Sequence, residues 1–129
     1  MPAASTTGAM DTGANGYLSI VAMMLPTNDG FVGLDGWAIP TDPGTYVITL
    51  NAYDAGTEAN DQNCVHIPGP RCGGEAHSMA SDMDEGFVYI SNGFHDLGKM
   101  DDEGNEILGT KLYDWHHSVA QVTIKKIEK

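Results

Sequence analysis

The sequence predicts an all-β fold, an antiparallel β-sandwich formed by a single domain. Sixteen glycines and six prolines among 129 residues imply many turns and leave little room for long helices. Several short segments alternate apolar and polar residues as half-buried strands do, and no internal repeat, coiled-coil heptad or amphipathic helix is evident. The hydrophobic content of 41% is sufficient for one core, as expected for one domain of this length.

The first strand is predicted after an irregular start. Residues 1–16 are small and polar, which is typical of a flexible lead-in, so the domain is expected to span residues 17–129. Residues 17–25 are almost continuously apolar and therefore predict a central strand covered on both faces. Residues 26–30 then predict a turn.

Two further strands are predicted before the middle of the chain. Residues 31–39 carry aromatic and aliphatic residues, and Gly33 and Gly36 within them indicate a bulge or a sharp bend. The TDPG sequence at residues 41–44 predicts a turn. Residues 46–50 follow it and predict a strand with regular alternation.

The second half of the chain predicts two strands and two long loops. Residues 52–84 have no periodic apolar pattern, and a loop of this length usually needs a metal, a disulfide or a function to offset its ordering entropy. Residues 86–92 predict a strand, and residues 95–104 predict a second, acidic loop. The last strand is predicted at residues 119–127, with its even positions from 120 to 124 facing inward.

The charge of the chain disfavours two classes of partner. Eighteen Asp and Glu residues face six Lys and Arg, giving a formal charge of −12, which repels nucleic acid and anionic membrane surfaces and attracts cations. The alternative is that the bulk of this charge serves solubility or a salty medium. No segment approaches the roughly 18 to 20 apolar residues that span a bilayer, so membrane insertion is not expected.

The two cysteines predict a disulfide. Cys64 and Cys72 have the wrong spacing for a CxxC redox or zinc half-site, and the prolines and glycine between them bend the chain so that the thiols can meet. A disulfide indicates an oxidising compartment, whereas two free buried thiols would suit a cytosolic protein. We therefore expect a secreted protein in an extracellular, periplasmic or cell-surface setting.

Acidic side chains cluster at predicted strand ends. Residues 53–61 have the sequence YDAGTEAND directly after a predicted strand, and the small Gly56 would let Asp54 and Glu58 converge on one point. Asp29 also lies at a strand end, and loops at one end of a sandwich lie close together. Three neighbouring carboxylates repel one another, and a bound divalent ion would relieve that repulsion. The alternative is that these acids are solvated turn residues.

These residues, in this order and spacing, resemble the spondin domain of extracellular matrix spondins and of its bacterial relatives. The resemblance is carried by Asp29, FVGL at residues 31–34, Trp37 and YDAGTE at residues 53–58. Further matches are IPGP at residues 67–70, the strand and turn at residues 86–95, and Asp114-Trp115 before the closing strand. The resemblance covers about residues 18–124 and is greatest to the bacterial branch.

The resemblance implies a C2-like antiparallel β-sandwich that holds a calcium ion. It also implies that the ligands are Asp29, Asp54 and Glu58, with loop carbonyls and water completing the coordination. Asn60 and Asp61 are second-tier candidates that could hydrogen-bond to those ligands.

Two features depart from the family pattern. Glu58 stands where the animal proteins usually have Asp, which lengthens the ligand by one methylene but keeps its charge. The family domain also begins with strands before the one predicted at residue 17, so the domain is expected to be incomplete at its N-terminal side. An incomplete sandwich exposes a strand edge and an apolar face, which invites strand addition or self-association.

The predicted function is that of a non-catalytic, calcium-binding adhesion or matrix-interaction module. Its expected partner is an extracellular protein or glycan, or a second copy bound through an exposed strand edge. No nucleophile elbow, phosphate-binding loop or dinucleotide fingerprint is present. The alternative is a secreted copper- or other transition-metal-binding redox protein or enzyme with His and Met ligands, for which His66 and His77 are the candidates.

Overall fold

The structure, a computed structural model, describes residues 4–58, 60, 66–67, 72, 85–93 and 114–127. Within these residues the chain forms five antiparallel strands and no α-helix, which confirms the all-β class. The strands are β1 (Tyr17–Met23), β2 (Gly30–Ala38), β3 (Gly44–Asp54), β4 (Tyr89–Ile90) and β5 (Ala120–Lys126). The same residues include no helix with the length and apolarity needed to cross a membrane.

A hydroxyl group closes the turn that joins β1 to β2. The Thr27 side chain donates to the carbonyl oxygens of Met24, at 2.5 Å, and Gly30, at 3.2 Å. The backbone N–H of Thr27 donates to the Met24 carbonyl as well, at 3.1 Å. The turn is therefore held from within and fixes where β2 begins.

A bulge interrupts the β1–β2 hairpin. Between two consecutive pairs of the hairpin, β2 has two residues where β1 has only Ser19, so Ser19 lies opposite the bulge. The Ser19 hydroxyl donates to Asp35 at 3.0 Å and accepts from the Gly36 N–H at 3.0 Å. Gly36 has a φ of +58°, a conformation that favours glycine. The bulge predicted within residues 31–39 is confirmed.

The longest strand, β3, changes partners along its length. Its residues 44–50 pair with β5. Its residues 51–54 pair with β2, and the last two of them also pair with β4. The resulting order is β1-β2-β3-β4, with β5 on β3 as well, so β3 joins β5 to the other strands.

The even-numbered side chains of β3 point toward the interior. Leu50 and Ala52 are buried, and together with Ile67 they are the buried hydrophobic residues of the described chain. The half-buried even positions of β5 lie beside this face, and its odd positions are exposed, as predicted. The rings of Trp37 and Tyr46 meet edge to face, with 5.8 Å between their centroids.

Two predicted strands differ in the structure. The central strand predicted at residues 17–25 is found as β1, at the end of the strand order and largely exposed. Its apolar run suggested cover on both faces, but within the described residues only β2 pairs with it. The strand predicted at residues 86–92 is reduced to β4, and Gly86, with a φ of +71°, turns the chain at the start of the predicted segment. The division into a lead-in and a domain stays a prediction.

Candidate functional site

Four acidic side chains lie at one end of the sheet. The pairing of Gly30 in β2 with Asp54 in β3 sets the start of one strand beside the end of the other. Asp29 precedes Gly30, and its carbonyl oxygen accepts from the Ala55 N–H at 3.3 Å. We call the four side chains the acidic cluster: Asp29, Asp54, Glu58 and Glu85.

Asp29 holds the loop that follows β3. Its Oδ2 accepts hydrogen bonds from the Thr57 N–H at 2.8 Å, the Thr57 hydroxyl at 3.0 Å and the Glu58 N–H at 3.1 Å. Its Oδ1 is buried and has no hydrogen-bond partner among the described residues. One oxygen of the carboxylate therefore organises the loop, and the other remains available to a ligand.

Asp54 is the most buried member of the cluster, at 5% exposure. Its Oδ1 accepts from the Gly56 N–H and its Oδ2 from the Asn60 amide, both at 2.8 Å. Burial raises the pKa of Asp54 above its ordinary value, and the charge of Asp29 adds to the rise. Hydrogen bonds from Asn60, Gly56 and Tyr89 oppose it. Ionisation of Asp54 is therefore less favourable than that of an exposed aspartate, and a nearby positive charge would favour it.

Asn60 and Tyr89 connect Asp54 to Glu85. The Asn60 amide nitrogen lies 3.3 Å from Glu85 Oε1 and 2.5 Å from the Tyr89 hydroxyl oxygen, in addition to its bond to Asp54. Burial and the charges of Asp54 and Glu85 raise the pKa of Tyr89 to about 12. Its phenol therefore remains protonated near neutral pH and can donate to a carboxylate.

Three carboxylate oxygens of the cluster are buried without a hydrogen-bond donor in the described part of the chain. They are Asp29 Oδ1, Glu58 Oε2 and Glu85 Oε2. A buried acceptor left unpaired costs about 1–3 kcal/mol, and more when it is charged. The arrangement is therefore unfavourable without a cation or another donor.

Only glycine fits at position 56, where the loop meets the segment before β4. Gly56 has a φ of +65°, and a Cβ there would lie 2.2 Å from the Phe87 carbonyl oxygen. The Gly86 N–H donates to the Gly56 carbonyl at 2.9 Å. This contact brings Glu85 and Tyr89 to Asp54.

A cleft of about 220 Å³ adjoins the cluster. Asp54, Asn60 and Tyr89 line one part of it, and Asn28 and Trp115 are also among its lining residues. A cleft of this volume has room for several water molecules. A hydrated ion or a small polar ligand could therefore reach Asp54.

The predicted calcium ligands are neighbours, but their carboxylates do not meet at one point. In the described ranges, no three Asp, Glu, His or Cys side chains are placed to hold a metal ion together. Asp29 influences Asp54 through its charge and is linked to Glu58 through the Glu58 N–H. Asp61 lies outside the described residues. A calcium-binding role for these side chains stays a prediction.

Two further residues of this site were not singled out from the sequence. Glu85 is one acid in a run of acidic residues, and Tyr89 has the ordinary alternation of a strand residue. Their approach to Asp54 depends on the contact between Gly56 and the segment before β4. No local pattern signals that long-range contact.

The other predicted site residues are described only in part. Cys72 is described and Cys64 is not, so the disulfide stays a prediction. His66 is half-buried, and His77 lies outside the described residues. His116 is exposed and pairs with Asp114 at 3.4 Å. Whether His66 and His77 share a transition metal therefore stays open.

No known family model matches the chain, and no curated protein and no solved structure is significantly similar to it.

Proposed function

We propose that this chain is a calcium-binding module that works in adhesion or matrix interaction and not in catalysis. The proposal includes a C2-like antiparallel β-sandwich of the spondin type, a secreted location and a disulfide between Cys64 and Cys72. The change of partners along β3 supports the sandwich, because strands that leave one sheet to pair in another form the corners of such folds. The acidic cluster supports the calcium site.

The observation that carries the proposal is the set of unpaired, buried carboxylate oxygens on Asp29, Glu58 and Glu85. The residues that carry these oxygens belong to the acidic cluster at the end of β3, where burial raises the pKa of Asp54. A divalent cation would give them a partner and lower the pKa of Asp54.

Among the residues that the structure describes, no lysine or arginine lies close enough to the acidic cluster to neutralise its charge. The described lysines are Lys125 and Lys126, and Lys126 pairs with Gly44 at the opposite end of β3 from Asp54. With a rise of about 3.3 Å per residue, the length of β3 puts about 30 Å between Lys126 and Asp54. That distance exceeds the Debye length of about 8 Å at physiological salt.

The donor set favours calcium over softer metals. Every candidate ligand in the cluster is an oxygen, and calcium takes six to eight oxygens, including backbone carbonyls and amide oxygens. Three converging carboxylates are therefore not required. The Asn60 amide oxygen and loop carbonyls could complete the shell when Asp29 and Glu58 turn toward Asp54.

The ion's role would be to tie the loop after β3 to the strand ends. Asp29 already holds Thr57 and Glu58, and an ion shared with Asp54 would add a second attachment. An ion that binds only the folded state stabilises it by mass action. At a concentration 100 times its Kd, this is about 2.7 kcal/mol, or roughly a 10 °C rise in Tm.

The test is a calcium titration followed by thermal unfolding and calorimetry. Asp54→Asn keeps the shape of the side chain and removes its charge, so it should weaken calcium binding by about tenfold or more and abolish most of the rise in Tm. Asp42→Asn is the matched control, because Asp42 is an exposed acid in the loop between β2 and β3. It should retain the full response.

Two outcomes contradict the proposal. One is an unchanged Tm in millimolar calcium, and the other is an equal response in Asp54→Asn and Asp42→Asn. A response specific to copper that disappears on replacement of His66 or His77 would instead support the transition-metal function.

A further inference from the structure

The outer edge of β1 carries backbone groups that no described strand pairs with. β1 lies at the end of the strand order and pairs with β2. The Gly16 carbonyl accepts from Ile39, and the Met24 N–H donates to Gly30, so the even-numbered residues direct their backbone groups toward β2. The odd-numbered residues of β1 therefore direct theirs outward.

Within the described residues, the bulge opposite Ser19 is the one irregularity along this edge, and β1 itself has no charged residue or proline to oppose strand addition. The seven residues of β1 are YLSIVAM. Tyr17, Val21 and Met23 are 72%, 68% and 55% exposed. A long, neutral and apolar edge of this kind is a template for another strand.

The apolar character continues from the edge across the outer face of the sheet. Met23 pairs with Phe31, Phe31 with Tyr53, and Tyr53 with Ile90, so the four side chains form one row on one face. The rings of Phe31 and Tyr53 stack with 5.5 Å between centroids. Ile90, at the far end of the row, is 59% exposed.

We propose that two copies of this chain associate through β1, which pairs with β1 of the second copy in an antiparallel arrangement centred on Ile20. This register sets Tyr17 opposite Met23 and Ser19 opposite Val21 of the second copy. Odd residues then face odd residues, so the outward backbone groups form about eight hydrogen bonds. A shift by one residue would place odd side chains beside even ones and reverse the faces.

The position of the acidic cluster favours the antiparallel over the parallel arrangement of two copies. The acidic cluster lies at the Met23 end of β1, because Met23 pairs with Phe31 and Asp54 is the neighbour of Tyr53. Antiparallel pairing places the two clusters at opposite ends of the shared strands, about 20 Å apart at about 3.4 Å per residue. That exceeds the Debye length of about 8 Å, whereas parallel pairing would set the clusters side by side.

The same register extends the apolar row between the copies. Met23 of one copy meets Tyr17 of the other, so two of the most exposed apolar side chains of the edge lose contact with water. The interface uses the same strand on both copies, so the assembly closes as a dimer. It does not depend on calcium.

The oligomeric state tests the proposal directly. Sedimentation of the full chain at micromolar concentrations, in EDTA and in calcium, should give a dimer in both. Val21→Lys places a charge on the edge and should raise the dimer Kd by at least about tenfold. Val47→Lys is the matched control, because Val47 is an exposed valine of β3, at 58%, and its variant should dimerise as the parent does.

A cysteine pair tests the register. Ile20→Cys would place two cysteines opposite each other about 4.5 Å apart, within the Cα range for a disulfide, so oxidation should join the copies. Leu18→Cys would be opposite Ala22 of the second copy and should not join them. Circular dichroism would verify that each variant folds.

Three results would overturn the proposal. They are a parent chain that sediments as a monomer, a dimer that Val21→Lys leaves intact, and cross-linking by Leu18→Cys as efficient as that by Ile20→Cys. Loss of the dimer in Val47→Lys alone would assign the interface to a different face.

Discussion

A methyl group at position 56 should destabilise the fold more than the same methyl at a glycine with similar backbone angles. Gly56 and Gly36 have φ values of +65° and +58°. A Cβ at Gly56 would lie 2.2 Å from the Phe87 carbonyl oxygen, and a Cβ at Gly36 would have no atom within 4 Å. The pair Gly56→Ala and Gly36→Ala therefore separates a steric contact from the cost of the backbone conformation.

The magnitudes follow from these two contributions. An alanine in the left-handed region costs about 1–2 kcal/mol, which should be the whole effect at Gly36. At Gly56 the Phe87 carbonyl must also move, and the hydrogen bond from Gly86 to Gly56 is lost or lengthened. The hydrogen bond contributes about 0.5–1.5 kcal/mol, and accommodating the overpacked atom costs about 1–3 kcal/mol. We expect a loss of about 3–5 kcal/mol for Gly56→Ala.

Urea unfolding followed by circular dichroism measures both variants against the parent chain. Because Gly56 holds the segment before β4 against the acidic cluster, Gly56→Ala should also weaken the calcium binding proposed above, and Gly36→Ala should not. Equal losses of stability in the two variants would contradict the contact between Gly56 and Phe87 described above.

Two further predictions concern the ends of β3. The raised pKa of Asp54 means that the native state holds this proton more tightly than the unfolded chain. In EDTA, the contribution of Asp54 to the unfolding free energy should fall as the pH rises above 3.8 through the folded-state pKa. In urea titrations at a series of pH values, the unfolding free energy of Asp54→Asn should lack this decrease. Identical pH profiles for the variant and the parent chain would contradict the burial of this carboxyl. At the other end, Lys126 donates to two backbone carbonyls of the loop between β2 and β3, so Lys126→Met should lose about 1–2 kcal/mol. Lys125→Met, on the exposed face of β5, should lose less than about 0.5 kcal/mol, and equal losses would show that these hydrogen bonds contribute nothing.

The strands could be predicted where local periodicity carries the signal. The alternation in residues 119–127 matches the half-buried and exposed positions of β5, and Gly36 marked the bulge. The strand predicted at residues 46–50 continues in the structure to Asp54, because pairing with β2 and β4 extends it beyond the segment with clear alternation. The apolar run of β1 did not reveal that the strand lies at an edge, since the apolar pattern of a segment does not show how many strands pair with it.

Only those residues of the candidate site that stand in turns next to predicted strands could be predicted from the sequence. Asp29, Asp54 and Glu58 were recognisable from acidic turn positions next to strands. Glu85 and Tyr89 join them because a backbone hydrogen bond docks Gly86 on Gly56, thirty positions away in sequence. A contact of that range depends on the folded chain and leaves no mark in the spacing of nearby residues.

The ladder between β3 and β5 has a consequence for how the protein is made. Gly44 pairs with Lys126, so a strand translated early must find a partner translated much later. Contacts of such long range slow folding. Until β5 emerges, Tyr46, Ile48 and the unpaired edge of β3 remain uncovered on the nascent chain, and this interval is when chaperone binding would protect it most from aggregation.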